Sequence, residues 1–452
     1  MLVSLSIANF RSFAEEETFS LVASKRLSGT HDDHLIPIPD SDERVLRCAV
    51  LYGANGAGKS NLLKALQYAE MFVLRARGKK SSGTGREPFR FAGENKDPST
   101  FDLQFVAANT LYHFGFSVDD EHVTEEWLAY TAGGREKTLY ERTTDVNGKV
   151  AIDAPGLKSV GQKLEAMVTV GGPPNQSFLA TVRATLDRDE LGEHIKNVIA
   201  WFEDIALIGP EQPLAPIGAM LSDDPEFLDF AGKFLKSSST GVDHLRVDKV
   251  TMSEDELRSL LPRELYSRIV SDAPEGGGIR LTLREGNELL IEPKGESYRL
   301  TVQAAHQCNN GRVVPLEIAE ESDGTQRLLN LLPALYFAQN SSGVYFIDEI
   351  DRSMHPVLVR KLFEFFLKSC TGERRQIIVT THESTLLDLD LLRRDEIWFA
   401  EKTQSAATHL YSLTDFKVRK DLQIRKGYLE GRFGGIPFLG DIDALSKEVH
   451  CE

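Results

Sequence analysis

Residues 53–60 have the types and the spacing of a phosphate-binding turn. They read GANGAGKS, with glycines at 53, 56 and 58 before Lys59 and Ser60, and so fit the pattern G-x-x-x-x-G-K-[ST]. Glycines let backbone N–H groups turn toward phosphate oxygens, Lys59 can reach the β- and γ-phosphates, and Ser60 can offer its hydroxyl to Mg²⁺. An apolar run precedes the turn and a helix pattern follows it, which favours a nucleoside triphosphate site over an ordinary glycine-rich turn. The predicted binding residues are Gly53, Ala54, Asn55, Gly56, Ala57, Gly58, Lys59, Ser60 and Asn61.

A second apolar run ends in two carboxylates. Residues 344–349 read VYFIDE, so Asp348 and Glu349 follow a strand-like segment directly. Asp348, together with Ser60, is the predicted Mg²⁺ partner, through water. Glu349 is placed to polarise the attacking water as general base. Apolar strands that end in solvated acids are also common. This motif therefore predicts a metal and catalytic site only in combination with the P-loop and the other motifs.

An S-x-G-x-Q motif lies just upstream of the acidic strand. Ser322, Gly324 and Gln326 fall at the start of ESDGTQRLLNLLPALYFA, whose leucines have helical spacing. A helix N-terminus offers N–H groups and the positive end of the helix dipole to a phosphate. The alternative is a plain N-cap before a core helix, and the position directly upstream of Asp348 favours the phosphate.

One histidine follows the other predicted buried strand. His382 comes directly after QIIVTT, and the carboxyl ends of parallel strands line the ligand site of an open α/β sheet. We expect His382 to act in catalysis by donating a hydrogen bond to the γ-phosphate and responding to its loss. Because a lone histidine is more often structural, this prediction depends on the three motifs above.

Other elements must position these motifs. Residues 3–7 predict a strand, residues 101–126 alternate like an antiparallel meander, and residues 279–302 predict further strands. Residues 157–265 have mostly helical spacing. The long separation of Lys59 from Asp348 indicates that a large insertion splits the nucleotide domain.

Composition excludes several classes of protein. The chain has 452 residues, of which 41% are hydrophobic and 27% charged, as in a globular protein of two or three domains. A net charge of −16 argues against a surface coated for nucleic acid, although basic residues cluster at 75–90 and 417–432. The four cysteines are scattered, and no signal peptide or membrane-length apolar run occurs. We therefore expect a cytoplasmic protein without structural zinc.

The order of P-loop, S-x-G-x-Q, Asp-Glu and switch histidine resembles the ABC-class ATPase heads of the SMC, RecF and OLD proteins. LSIANFRSF near the start resembles the same group, which makes Arg11 a predicted neighbour of the nucleotide. ESDGTQRLL, DEIDRSMHP, TTHESTLLD and GYLEGRFGGIPF resemble, more specifically, the compact AAA-type, ABC-class ATPases of bacterial anti-phage and abortive-infection operons, such as RloA-like and PARIS AriA-like subunits. The likeness is weak across residues 155–300.

The resemblance implies an α/β fold. It is the fold of an ABC-type ATPase head, with a mixed sheet that carries the P-loop, an antiparallel β lobe and a helical insertion domain. The predicted domains are residues 1–155 for the N-terminal part of the head with the P-loop and meander, 156–275 for the mainly helical insertion, and 276–452 for the C-terminal part of the head with the remaining motifs and the tail.

The resemblance also implies a site shared between two chains. ATP and Mg²⁺ would lie between the P-loop of one subunit and the S-x-G-x-Q motif of another, so the chain would form a homodimer or a higher oligomer. Lys59, Asp348, Glu349 and His382 would face Ser322 and Gly324 of the partner subunit. Hydrolysis by Glu349 would then release the two chains.

Three functions remain open. The leading hypothesis is an ATP-dependent switch or scaffold in phage defence that controls a separately encoded effector nuclease, since few residues follow His382 and none of them predicts a nuclease. The alternative is a RecF- or SMC-like DNA-acting ATPase in repair or chromosome maintenance, against which the acidic charge and the lack of a long coiled-coil pattern argue. The third is a non-enzymatic, ATP-locked scaffold, and the presence of Glu349 argues against it.

Residues 425–441, RKGYLEGRFGGIPFLGD, predict either a loop near a partner or the nucleotide, or a tail packed on the head.

Overall fold

The structure of the protein is a computed structural model that describes residues 1–76, 83–93, 97–158, 160–210, 216–262, 266, 279–282, 288–292, 296–336, 343–369, 374–417 and 424–436. The β-strands among them are β1 (Leu2–Ala8), β2 (Glu17–Ser20), β3 (Leu35–Pro37), β4 (Arg44–Leu46), β5 (Cys48–Gly53), β6 (Ser99–Ala107), β7 (Thr110–Val118), β8 (Val123–Ala132), β9 (Arg135–Thr144), β10 (Val150–Asp153), β11 (Ile205–Ile208), β12 (Val242–Met252), β13 (Ile279–Thr282), β14 (Glu288–Ile291), β15 (Ser297–Gln307), β16 (Val313–Glu317), β17 (Val344–Ile347), β18 (Gln376–Thr380), β19 (Ile397–Lys402) and β20 (Thr408–Ser412). The α-helices are α1 (Lys59–Leu74), α2 (Gln162–Val170), α3 (Phe178–Thr185), α4 (Glu193–Glu203), α5 (Ile217–Asp223), α6 (Pro225–Ser237), α7 (Glu254–Leu260), α8 (Asp323–Tyr336), α9 (Pro356–Ser369) and α10 (Ile424–Leu429). In the part of the chain that the structure describes, no helix is long and apolar enough to cross a membrane.

The chain divides into two compact units. The first comprises Met1–Leu207, Ser341–Ile350 and Cys370–Glu452, and the second comprises Ile208–Asn340 and Asp351–Ser369. These positions differ from the predicted domain boundaries after residues 155 and 275, which stay a prediction. The P-loop, the acidic pair and the switch histidine belong to the first unit, whereas the S-x-G-x-Q motif belongs to the second.

The sheet that carries the P-loop has the strand order β11-β17-β18-β5-β19-β20. Strands β17, β18, β5 and β19 run parallel, and β20 is antiparallel to β19. Every residue of β5, CAVLYG, is buried, as expected for a parallel strand covered on both faces. The two predicted apolar strands, β17 and β18, are therefore neighbours, and β18 lies directly beside β5.

An antiparallel sheet packs against the helix that follows the P-loop. Its strand order, β10-β9-β8-β7-β6-β1-β2, confirms the predicted meander. Phe101 of β6 and Phe116 of β7 stack at 4.8 Å, and they lie 5.2 Å and 3.8 Å from the rings of Tyr68 and Phe72 of α1, respectively. This aromatic layer joins the β lobe to α1. The mostly parallel sheet with its helices, together with the antiparallel lobe, confirms the predicted α/β fold class.

Within its described residues, the region predicted as mainly helical contains two strands. Helices α2 to α6 confirm the helical spacing, but α4 ends at Glu203 and the apolar run IALI forms β11 at the edge of the nucleotide sheet. Strand β12 pairs with β15 in the sheet of the second unit. The helical spacing predicted for most of residues 157–265 does not extend to these two strands, because a short apolar run has no period of its own and takes its structure from the strand it pairs with.

The second unit has its own antiparallel sheet, of order β12-β15-β14-β13, with β16 paired to β15. Helix α6 packs on α8 in this unit through aromatic rings, with Phe227 and Phe230 lying 4.9 Å and 5.2 Å from Tyr336. The leucines of α8 are buried, which confirms the amphipathic helix predicted after the S-x-G-x-Q motif.

The glycine-rich tail packs on the first unit. The Tyr428 ring lies 5.5 Å from that of Tyr52 in β5 and 5.8 Å from that of Phe399 in β19, and Phe433 also stacks on Phe399. Gly434 has a φ of 67°, and a Cβ there would lie 2.3 Å from Tyr411 Oη. Of the two interpretations, the described tail fits a segment packed on the head. Residues 437–441 lie outside the described residues, as do residues 77–82 of the basic cluster at 75–90 and residues 418–423 of the basic cluster at 417–432.

Candidate functional site

The P-loop joins β5 to α1. Gly56 and Gly58 have φ values of 77° and 106°, a region that residues with a side chain rarely adopt. A Cβ on Gly53 would lie 2.5 Å from the carbonyl oxygen of Ala400, so this glycine also lets β19 approach the loop. The glycines of the pattern are therefore required by the backbone conformation and by close packing.

Lys59 is buried at the base of the turn, with only 5% of its surface exposed. Its Nζ donates to the carbonyl oxygens of Gly53, at 2.8 Å, and of Ala54, at 3.2 Å. Burying an ammonium is costly unless it is hydrogen-bonded. The two carbonyls hold the charge inside the curve of the loop, while Asn55 and Gly56 at its rim are exposed.

The two predicted carboxylates follow β17 and are tied to the end of β18. Asp348 is 2% exposed and accepts a hydrogen bond from the Thr380 hydroxyl. The backbone N–H of Glu349 donates to the same Thr380 Oγ1 at 2.8 Å. Glu349 has a φ of 49°, which costs on the order of 1 kcal/mol for a residue with a side chain. Thr380 thus fixes both acids, and sequence reasoning missed it because a hydroxyl on a different strand leaves no motif.

His382 follows β18 and is exposed. The backbone on either side of it is anchored, because the N–H of Thr381 donates to the carbonyl of Leu51 in β5 and the Glu383 side chain accepts from the N–H of Thr385. An exposed imidazole on an anchored loop can meet a ligand at this edge. Its hydrogen bond to a phosphate stays a prediction.

Three neighbouring strand ends therefore bring the predicted residues of the first unit together. Strand β5 leads into the P-loop, β17 into Asp348 and Glu349, and β18 into His382, and the three strands pair in parallel register. Hard cations such as Mg²⁺ take oxygen ligands, and Ser60 and Asp348 offer a hydroxyl and a buried carboxylate. The residues present fit this ion, and their roles stay a prediction.

The N-terminal turn places Arg11 against a carboxylate. Arg11 has a φ of 51°, its Nη2 lies 2.5 Å from Glu87 Oε1, and its backbone N–H donates to the carbonyl of Glu87 at 2.7 Å. The predicted nucleotide neighbour is thus an ion-pair partner of Glu87. The guanidinium has five N–H donors, so a contact to phosphate requires one that Glu87 does not take.

The S-x-G-x-Q residues begin α8 in the second unit. Ser322 Oγ accepts from the N–H of Thr325 at 3.2 Å, as an N-cap does, and the Ser322 side chain remains exposed. Gln326 Nε2 donates to two carbonyls of the preceding turn. A Cβ on Gly324 would lie 2.5 Å from the carbonyl oxygen of Ser353, so the glycine allows the loop before α9 to touch the start of α8.

A separate cluster of titratable groups is buried at the opposite end of β5. His34 Nδ1 lies 2.9 Å from Glu396 Oε1, and Cys48 adjoins both. Burial, and then the charge of Glu396, raise the pKa of the Cys48 thiol well above its ordinary value, so the thiol keeps its proton. These residue types can bind metals, but here a protonated thiol and an imidazole satisfy the Glu396 carboxylate.

Residues 48–388 match the family described as "AAA domain, putative AbiEii toxin, Type IV TA system". The matched segment begins at the first residue of β5 and includes every predicted site residue except Arg11. No curated protein matches the chain.

Among solved structures, the chain is similar to SMC head domains. The SMC head domain from Thermotoga maritima is 14% identical, with 91% of this chain and 98% of that chain covered and a TM-score of 0.37. An Smc head domain bound to the C-terminal domain of ScpA, derived from Pyrococcus furiosus, is 13% identical, with 91% and 96% covered and a TM-score of 0.34. The finer likeness to RloA-like or PARIS AriA-like subunits stays a prediction. Because the family match spans most of the chain's length, the chain belongs to this AAA domain family.

Proposed function

We propose that the chain binds Mg²⁺-ATP and hydrolyses it. The observation that carries this proposal is the shared edge of β5, β17 and β18, where the P-loop lies beside two carboxylates. The positive φ of Glu349 supports it further, because strained backbone conformations occur preferentially at functional sites. Family membership supports nucleotide binding, and the acidic pair supports turnover.

Each residue of the edge has its own task in this proposal. Lys59 and the N–H groups of the loop bind the phosphates, while Glu349 orients the attacking water and takes its proton. His382 donates to the γ-phosphate. Mg²⁺, when bound through Ser60 and Asp348, neutralises phosphate charge.

We also propose that a second copy of the chain completes the site. Ser322 is exposed at the start of α8, and a helix N-terminus favours an anion. ATP held between the P-loop of one chain and this motif of another makes association depend on ATP. Hydrolysis then separates the chains, as in other nucleotide switches.

In the cell, we propose a cytoplasmic switch or scaffold in bacterial anti-phage defence that controls a separately encoded effector nuclease. The family description names a putative AbiEii toxin and a type IV TA system, which supports a role in defence but names no effector nuclease. The alternative of a RecF- or SMC-like ATPase predicts ATP-dependent DNA binding that weakens steeply with salt.

The test is the molar mass in solution of the Glu349→Gln variant, with and without ATP and Mg²⁺. We expect a larger species only with both, because the variant binds ATP but turns it over roughly 10²- to 10⁴-fold more slowly. Glu125→Gln is the matched control, since it removes one exposed carboxylate from β8 and leaves the site intact.

Other outcomes separate the alternatives. A variant that binds ATP and stays monomeric contradicts the shared site. An oligomer of constant size with no turnover by the unaltered protein favours the scaffold over the enzyme. Salt-sensitive capture of DNA by the ATP-bound form favours the DNA-acting ATPase.

A further inference from the structure

Side chains from three distant parts of the first unit form a hydrogen-bonded chain beside the P-loop turn. Asn61 Nδ2 lies 2.7 Å from Ser12 Oγ, Ser12 Oγ lies 2.7 Å from Thr408 Oγ1, and Thr408 Oγ1 lies 2.7 Å from the carbonyl oxygen of Ala57. Ser12 and Thr408 are 5% and 2% exposed, respectively. Ser12 belongs to the N-terminal turn, and Thr408 is the first residue of β20.

The Thr408 hydroxyl is the donor in two of these bonds. It donates to the carbonyl oxygen of Ala57 and to Ser12 Oγ, so its one proton is shared between two acceptors. Ser12 Oγ also accepts from the side-chain amide of Asn61. Ser12 Oγ therefore joins Asn61 to Thr408, and Thr408 is the group that reaches the Ala57 carbonyl.

Gly58 leaves the space that this chain occupies. A Cβ on Gly58 would lie 2.0 Å from Thr408 Oγ1 and 2.8 Å from Ser12 Oγ. The glycine before Lys59 is thus needed for its φ of 106° and also for the approach of two hydroxyl groups. Only the second requirement involves residues outside the motif.

We propose that Ser12 and Thr408 are positioning residues that aim the P-loop at phosphate. The carbonyl of Ala57 and the N–H of Gly58 belong to one planar trans peptide, in which the oxygen and the hydrogen point in opposite directions. By holding the oxygen, Thr408 turns the N–H of Gly58 away from itself and toward the concave side of the loop. Ser12 orients Thr408 and ties the N-terminal turn to the loop. The inference rests on the proposed function, in which this loop binds Mg²⁺-ATP.

The test is the affinity for Mg²⁺-ADP, together with KM and kcat for ATP. Thr408→Val keeps the shape and removes the hydroxyl, so we expect about tenfold weaker ADP binding and a similar rise in KM, with a much smaller change in kcat. Thr408→Ser keeps the hydroxyl and should bind ADP within about twofold of the unaltered protein. Ser12→Ala should fall between them, because Thr408 can still donate to Ala57.

A double variant tests whether the bonds act in series. Ser12→Ala combined with Thr408→Val should bind ADP no more weakly than Thr408→Val alone, since the link that Ser12 supports is already lost. Thr181→Val is the matched control: it removes another buried threonine hydroxyl, bonded within α3 to the Ser177 carbonyl, and should leave ADP affinity unchanged. Thermal unfolding of every variant separates lost stability from lost affinity.

The outcomes that overturn the inference are distinct from those that overturn the proposed function. Unchanged ADP affinity in Thr408→Val and Ser12→Ala, an equal loss in Thr181→Val, or additive losses in the double variant overturn the inference alone. Failure of the unaltered protein to bind Mg²⁺-ADP overturns the proposed function, and the inference with it.

Discussion

At the scale of single residues, Glu349 is one of the non-glycine residues that adopt a positive φ. Its φ of 49° is held from both sides, since its own N–H donates to Thr380 Oγ1 and the N–H of Ile350 donates to the Thr380 carbonyl at 3.1 Å. Two bonds to one residue of the neighbouring strand fix the left-handed turn. The general base of the proposal therefore occupies a position where the fold tolerates strain.

This strain predicts an inverted order of stability at position 349. Glu349→Gly should have a free energy of unfolding about 1 kcal/mol higher than Glu349→Ala, because glycine adopts positive φ without a Cβ penalty. Both variants should lack ATPase activity. Urea unfolding measures the difference.

The matched pair for this comparison is Glu125→Gly and Glu125→Ala in β8. There the order should be the ordinary one, with glycine less stable than alanine by roughly 0.5–1 kcal/mol. Glycine no more stable than alanine at position 349 contradicts the assignment of strain to Glu349.

At the scale of the elements, the start of α8 and the loop before α9 are in close contact within the second unit. The contact of Gly324 with the Ser353 carbonyl joins the S-x-G-x-Q motif to the loop that begins with Asp351. A change in one element must therefore move the other. In the proposed site shared by two chains, this contact supports the conformation of the motif that would face the partner chain.

We therefore predict a selective defect for Gly324→Ala. The added Cβ would lie 2.5 Å from a backbone oxygen, so the loop or the helix must shift, at about 1–3 kcal/mol of stability. In the Glu349→Gln background the ATP-dependent species should disappear, while Mg²⁺-ADP affinity stays unchanged because the P-loop belongs to the other unit. Molar mass and ADP titration measure the two effects.

Gly161→Ala is the control for this prediction, since a Cβ there meets nothing within 4 Å. If the larger, ATP-dependent species still forms with Gly324→Ala, the S-x-G-x-Q motif is not part of the surface through which the chains associate. A loss of ADP affinity would show that the substitution disturbs more than its own unit.

At the scale of the whole molecule, the protonation of His34 beside the buried Glu396 makes the free energy of unfolding depend on pH. Burial lowers the pKa of His34, but the hydrogen bond and charge of Glu396 outweigh it and raise the pKa above its ordinary value of 6.5. The folded chain then binds the proton more tightly than the unfolded chain. This stabilisation is complete below pH 6.5 and is lost as pH rises through the raised pKa.

His34→Gln should therefore lose less free energy of unfolding than the unaltered protein as pH rises from about 6 to about 8. Urea unfolding at a series of pH values measures the slope. His194→Gln is a control of opposite sign. Burial lowers the pKa of His194, so its contribution to the free energy of unfolding is lost as pH falls. Removing His194 should therefore make the free energy of unfolding decline more steeply as pH rises. Equal slopes in all three proteins contradict both assignments.

The parts of the fold that local pattern defines could be predicted from the sequence. The α/β class, the buried strands β5, β17 and β18, the meander and the helix after the P-loop all have a period or a composition of their own. Strand β11 could not be predicted, because IALI follows a helix without a turn signal and becomes a strand only by pairing at the edge of the sheet.

The sequence by itself determined the candidate chemistry of this protein: the pattern of a phosphate-binding loop, a pair of acids at a strand end, a serine before a helix and a histidine after a strand. Each is a short pattern whose local conformation follows from glycine, apolar strand residues and capping side chains. Only the tertiary structure decided what holds these groups in place. Thr380 behind the acids, Glu87 against Arg11, and Ser12 with Thr408 behind the loop act across long stretches of chain. A hydrogen bond between distant residues leaves no periodicity in the sequence, so only the folded chain makes it visible.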